Sequence, residues 1–431
     1  MNERGKRFLV LFLFFLFVCI FSISVTGVFA QDWARNYIRN RQRLDLRNLG
    51  YPLVNEIPAN SCAVTSLLNS SNGMIYGGTS GEEAYLFVFD PSTNKVKHLG
   101  KMKGEEGIHH SLAEGKDGSI YIGTGKSMFK EISISKGGIG REYFDVTLWK
   151  DIKNYYKDYP GGHLYRYNPR ESNAKIKLPD MDCEVLDLGI PVPNNSIYTL
   201  TVSPGGDEIY GITYPDGHFF IYNISRAIFE DKGEIDKSIV FHGPERYWRS
   251  LPRALVCDDG GNVYTSSTNG EIVYYSPSSG EFVSTGLRIP GDYYPAKSYR
   301  DYAVVECFAK SEDGLIYGGA SDGHLFSFSV ENMELINLGK PRVSRRMRAL
   351  TVDSDGKVYM IAGDQSKTKY CQFYCYDPER GGFEDFGVLM VDRSPYYYWR
   401  GHQFDCMTTA RDGTIYLGES ERRAHLFIYI P

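Results

Sequence analysis

Cysteine is scarce and scattered, with eight in 431 residues and one of them, Cys19, in the N-terminal leader. An odd remainder without a spacing framework excludes a disulfide scaffold. Cys371 and Cys375 lie four apart on an expected strand, too far for one bridge, so buried thiols are expected. An excess of one charge is also lacking: 48 Lys and Arg against 53 Asp and Glu leave a net charge of −5. That argues against nucleic acid or an anionic membrane surface as a partner held by bulk charge. Beyond the first 30 residues no apolar run is long enough to cross a bilayer. The composition excludes both collagen and disorder.

The leader itself has a pattern. Glu3, Arg4, Lys6 and Arg7 give a net-basic start, an uncharged apolar run follows from Phe8, and Val28-Phe29-Ala30 is a small-x-small cleavage site. Residues 1–30 therefore read as a signal peptide. The run from Phe8 to Ala30 is also long enough to stay as an anchor, although Ser22, Ser24, Thr26 and Gly27 weaken its last third. Either way the body is expected to be exported, to the periplasm, the cell surface or outside. A membrane is a partner only if the segment stays uncleaved. Residues 31–42, with a helical-looking piece from Trp33 to Arg41, form a short cap before the main domain.

Tyrosine is what the chain has in plenty, 33 against 24 Phe, which suits a β-rich protein with a wet, sugar-like ligand. A turn-plus-strand signature recurs seven times: Asn72-Gly73, Asp117-Gly118, Gly205-Gly206, Gly260-Gly261, Asp313-Gly314, Asp355-Gly356 and Asp412-Gly413, each before an apolar alternation ending in Tyr. Seven residues before each turn glycine stands a small residue: Ser66, Ser111, Thr199, Ala254, Cys307, Ala349, Cys406. One residue later stands a large apolar one: Leu67, Leu112, Leu200, Leu255, Phe308, Leu350, Met407. Neighbouring strand positions face opposite ways. Seven equivalent strands must therefore crowd a common axis, as inner strands of propeller blades do. The fold class is thus all-β, a seven-bladed β-propeller of four-stranded antiparallel blades over residues 43–431. The last copy runs out of chain before a fourth strand, and Arg43 to Gly50 has the missing pattern. An N-terminal strand closing the last blade is expected, which removes open sheet edges.

Strand starts and the loops between second and third strands share one rim. The long insertion at about 126–161 falls on it. So do His109, His110, Tyr247, Trp248, Arg249, Arg253, Arg300, Arg346, Trp399, Arg400 and His402. Guanidinium forks hold carboxylate or sulfate and aromatic rings stack on sugar faces, so this mouth fits an anionic polysaccharide or oligosaccharide. His109 and His110 break their own repeat, which marks them as functional candidates. Being adjacent on a strand they point apart, so no metal site is expected from them. Glu306 and Asp405 could hold a structural cation in the channel, but pairing with Arg253 or Arg348 at the same register is the more usual fate. No cofactor is expected.

The run Gly107-Ile108-His109-His110-Ser111-Leu112, the pair Gly162-His163 and the stretch Ile209 to His218 resemble the seven-bladed polysaccharide lyases that cut ulvan, and related propeller enzymes acting on rhamnose–glucuronate linkages. The resemblance spans Asn60 to Pro431. It implies β-elimination at a uronate, with His109 or His110 and His163 as histidines, Tyr214 as tyrosine and Arg249 or Arg253 as arginine. The insertion before His163 departs from that pattern. The expectation is therefore an exported polysaccharide lyase, acting as a monomer; the alternative is a non-catalytic glycan- or partner-binding propeller.

Overall fold

The computed structural model describes residues 45–48, 57–58, 60–127, 155–170, 185–235, 251–291, 303–342, 346–363, 371–393, 397–401, 403–420 and 424–431. The signal and cap regions lie outside them. Leu46–Pro431 forms one compact unit, and no helix among the described residues is long and apolar enough to cross a membrane.

The seven sequence repeats become seven four-stranded sheets. Blade 1 comprises Ala63–Asn69, Ile75–Ser80, Ala84–Asp90 and Lys95–Met102, each antiparallel to the next. Blades 2 to 6 repeat the order, starting from Leu112–Glu114, Ser196–Val202, Val256–Cys257, Val305–Lys310 and Met347–Val352. Blade 7 has Phe404–Thr409, Ile415–Glu419 and Leu426–Ile430 from the C-terminus, and takes Asp45–Asn48 from the N-terminus as its outer strand. A short hairpin, Met390–Arg393 with Tyr397–Arg400, stands between blades 6 and 7, where the sequence reads as a plain approach to a strand.

The blades stack through alternating apolar residues. Val64, Phe87 and Phe89 of blade 1 share a core cluster with Cys406, Leu426 and Ile428 of blade 7. Leu200 packs with Tyr121 and Leu164 of blade 2, and Leu350 with Tyr317 and Leu325 of blade 5. Tyr359 and Phe373 of blade 6 meet Tyr429 of blade 7. Close approach demands glycine here: a Cβ on Gly418 would lie 2.5 Å from the Val64 side chain. The closing strand predicts a test. Deleting residues 31–50 exposes the Leu426–Ile430 edge and should lower the melting temperature of the whole ring in a thermal scan; an unchanged transition would contradict the closure.

One device was not anticipated. In five blades the inner strand carries a β-bulge that skips one residue: Thr65, Tyr198, Glu306, Arg348 and Asp405. In blades 2 and 4 the strand begins just after His110 and Arg253 at the same register. A bulged residue leaves the ladder and its side chain is re-aimed. Seven copies of that position surround the axis.

Candidate functional site

The bulge position builds the site. His110, Arg253, Glu306, Arg348 and Asp405 line an axial cavity of about 170 Å³, floored by the small and large residues of the repeat, such as Ser66, Leu112, Cys307 and Met407. Both members of the small–large alternation reach the cavity, rather than only the small one. The large ones also pack on the neighbouring blade.

Charges in this wall are buried and paired. Arg346 donates through Nε and Nη2 to Glu306 at 3.1 and 2.8 Å, and Arg253 Nη1 lies 3.2 Å from the same carboxylate. Arg348 Nη1 donates to Asp405 at 2.6 Å, and Gln403 Nε2 donates to its other oxygen at 3.1 Å. Burial would raise the Asp405 carboxyl, but the Arg348 guanidinium and the Ser420 hydroxyl outweigh it and hold it below the usual range. The carboxylates thus take guanidinium partners. Among the described residues no group of three or more His, Cys, Asp and Glu converges as a metal would require. Arg346 sits at φ 70°, a left-handed conformation uncommon for a bulky residue. Its N–H donates to the Ser321 carbonyl, so hydrogen bonds at both ends of the residue hold it there.

Desolvation pushes His110 down to about 4, against the upward pull of Asp405. Burial lowers His109 as well. Both imidazoles are therefore neutral at pH 7. His109 lies outside the cavity lining, 3% exposed, with Nε2 2.9 Å from the Lys126 carbonyl. Tyr198 joins the two histidines to the arginines: its ring centroid is 6.1 Å from His109 and 6.4 Å from His110, and Arg253 lies 5.9 Å over its face.

Among the candidates read from sequence, the structure gathers His109, His110, Arg253 and Arg346. Tyr214 is one ring further out, 1% exposed, between Tyr198 and Tyr156 at 5.7 Å from each. His163 lies outside the cavity lining. Its Nδ1 meets Asp187 at 2.9 Å, and its ring stacks on Tyr165. His218 meets Asp231 in the same way one blade on. Tyr247, Trp248, Arg249, Arg300 and His402 fall outside the described residues. For Trp399 and Arg400 only the strand is described.

The Asp187 hydrogen bond raises His163, against the opposing effect of partial burial. Its stabilising contribution is present below the unfolded value near 6.5 and is lost as pH rises through the higher folded value. Side-chain exposures of 29% and 39% screen the pair. His163→Gln should cost no more than about 0.5 kcal/mol and leave turnover intact, as denaturation at pH 6 and at pH 9 together with an activity assay would show.

Glu306, Arg348 and Asp405 complete the wall, and Tyr198 stands behind it against both histidines and Arg253. The sequence already places Glu306, Arg348 and Asp405 at one register; Tyr198 shares their offset from the turn glycine, and that was the signal for it.

No protein-family model matches the sequence, and no curated protein sequence does. Solved structures do share the fold. A streptogramin B lyase superposes with a TM-score of 0.57 at 11% identity, over 90% of this chain and 98% of that one. Virginiamycin B lyase from Staphylococcus aureus gives 0.58 at 10% identity, over 90% of this chain and 100% of that one. The extracellular domain of a B. thetaiotaomicron protein named as a one-component system gives 0.53 at 13% identity, covering 88% of this chain and 39% of that longer chain. At these identities the likeness establishes a β-propeller fold and leaves the chemistry to the site.

Proposed function

We propose that the chain is an exported lyase that cleaves a uronate-containing glycan by β-elimination in the axial cavity. The observation that carries this reading is a neutral histidine, His110, that lines the same cavity as the buried guanidiniums of Arg253 and Arg348. In β-elimination the carbon next to the uronate carboxylate loses its proton to His110, and negative charge spreads onto that carboxylate. Arginine side chains stabilise this charge in a desolvated site. The bond from the adjacent carbon to the glycosidic oxygen then breaks, a carbon–carbon double bond forms, and the departing oxygen takes a proton. Tyr198, directly behind the wall against His110 and Arg253, is nearer to that last task than Tyr214. Burial keeps its phenol protonated, and it feels the charges of Arg253, Glu306, Asp405 and Arg348. Lyase-named propellers among the structural neighbours, and the ulvan-lyase-like motifs of blades 2 and 3, support the same class.

The pairing of Arg253 with Glu306 and of Arg348 with Asp405 favours a second reading, a glycan- or partner-binding propeller whose ring is structural. A panel of uronic-acid polysaccharides separates the two. Rising absorbance in the near-ultraviolet band of an unsaturated uronate supports the lyase. Binding without any such rise on every glycan of the panel supports the module.

A further inference from the structure

Both described ends of the insertion are fastened beside the histidine pair. At its start the Lys126 N–H donates to Ser196 Oγ at 2.9 Å, the Lys126 carbonyl lies 2.9 Å from His109 Nε2, and the Ser127 N–H donates to Glu106 at 3.1 Å. At its end, three tyrosines around a short helical turn point to the same place. Tyr155 donates to Glu106 at 2.7 Å, Tyr159 donates to Glu105 at 2.6 Å, and the Tyr156 hydroxyl lies 3.0 Å from Ser196 Oγ. The Lys126 ammonium lies 4.0 Å over the Tyr155 ring and so ties the two ends together.

Two lines of contact run inward from these anchors, one to His109 and one to His110 on the cavity wall. A carbonyl only accepts, so the contact to Lys126 requires the proton of neutral His109 to sit on Nε2. The second line is aromatic: Tyr156 to Tyr214 at 5.7 Å, Tyr214 to Tyr198 at 5.7 Å, and Tyr198 to the edge of His110 at 6.4 Å. Tyr156 is 2% exposed and Tyr214 1%, so neither ring can shift without opening a void.

We propose that the insertion supplies two positioning residues: Lys126, whose carbonyl fixes the tautomer of His109, and Tyr156, whose ring holds His110 in place through Tyr214 and Tyr198. This rests on the reading of His110 as the base only where turnover is concerned. The arrangement of the imidazoles can be measured without substrate.

The test is long-range proton–nitrogen NMR of histidine-labelled protein, parent against Tyr156→Phe and Tyr156→Ala. The parent should show one histidine locked as the Nε2–H tautomer. His110→Gln assigns a second that stays unprotonated down to a pH of about 4. Tyr156→Phe keeps the ring and should reproduce both signals. Tyr156→Ala should move the His110 titration up toward the ordinary imidazole range, as water reaches it. On a cleaved glycan that variant should lower kcat roughly tenfold to a hundredfold, with KM little changed. If Tyr156→Ala does not fold, Tyr156→Leu fills more of the space without the ring contacts and takes its place. A folded variant with the parent's histidine titration overturns the proposal, because a merely structural tyrosine would lower stability and leave that titration alone. A parent whose histidines behave as described but which cleaves no glycan overturns the lyase reading and leaves this one standing.

Discussion

Replacing His110 with alanine is expected to abolish turnover on a uronate glycan while glycan binding survives. General-base catalysis is typically worth roughly a hundredfold to ten-thousandfold. The imidazole acts only as the proton moves, so its loss should fall on kcat and leave ground-state binding nearly untouched. The pH dependence of the parent gives a second reading of the same group. Desolvation holds His110 down to about 4, so it stays unprotonated far below the usual histidine value. The acid limb of kcat/KM should accordingly lie near pH 4 instead of near 6.5. The same shift acts on stability. Between those two values the unfolded chain binds the proton and the folded one does not, so this group makes the fold weaker as pH falls through that window. Full activity in both His110→Ala and His109→Ala would place the base elsewhere.

The largest effect on stability is expected at Glu306. Its carboxylate faces two guanidiniums, Arg253 and Arg346, and all three side chains are 5–6% exposed. Taking two charges out of water is costly, and the shared carboxylate is what offsets it. Glu306→Leu leaves Arg253 and Arg346 buried without their common partner and should destabilise by about 3–5 kcal/mol. Because Arg346 holds φ 70° partly through that bidentate contact, its segment should loosen as well. Removing all three charges together, with apolar residues of similar size, should cost less than removing Glu306 alone. Denaturant midpoints of the single and triple variants measure the difference. A Glu306→Leu protein within about 1 kcal/mol of the parent would mean that these charges are solvated rather than buried.

Much of this architecture is legible in the sequence because a propeller is periodic. The turn glycines set the register, and the small and large residues at fixed offsets follow from seven strands meeting at one axis. Missing from the pattern was the bulge. Alternation assigns a strand residue to one of two faces, but a skipped residue belongs to neither, so nothing in the alternation marks Tyr198. Choosing between Tyr198 and Tyr214 required knowing that the Tyr156 ring from the insertion stands behind Tyr214. Arg346 was legible as a rim arginine. Its reach back to Glu306 of the preceding blade depends on a backbone conformation that no local propensity favours. The pairing of Asp405 with Arg348 was expected from register alone, because a long arginine and a carboxylate at one level of a narrow channel come within reach.

The central claim is elimination in the axial cavity, and the composition of the products tests it most directly. The parent should be incubated with a cleavable uronate glycan in oxygen-18 water and the fragments weighed. Elimination adds no water. The account therefore predicts one fragment that is lighter than a hydrolysis product by a water molecule and carries an unsaturated uronate end, no heavy oxygen at the new reducing end when this is read before anomeric exchange, and neither product from His110→Ala. Saturated ends on both fragments, with heavy oxygen at the new reducing end from the earliest time points, would mean hydrolysis and would contradict the account.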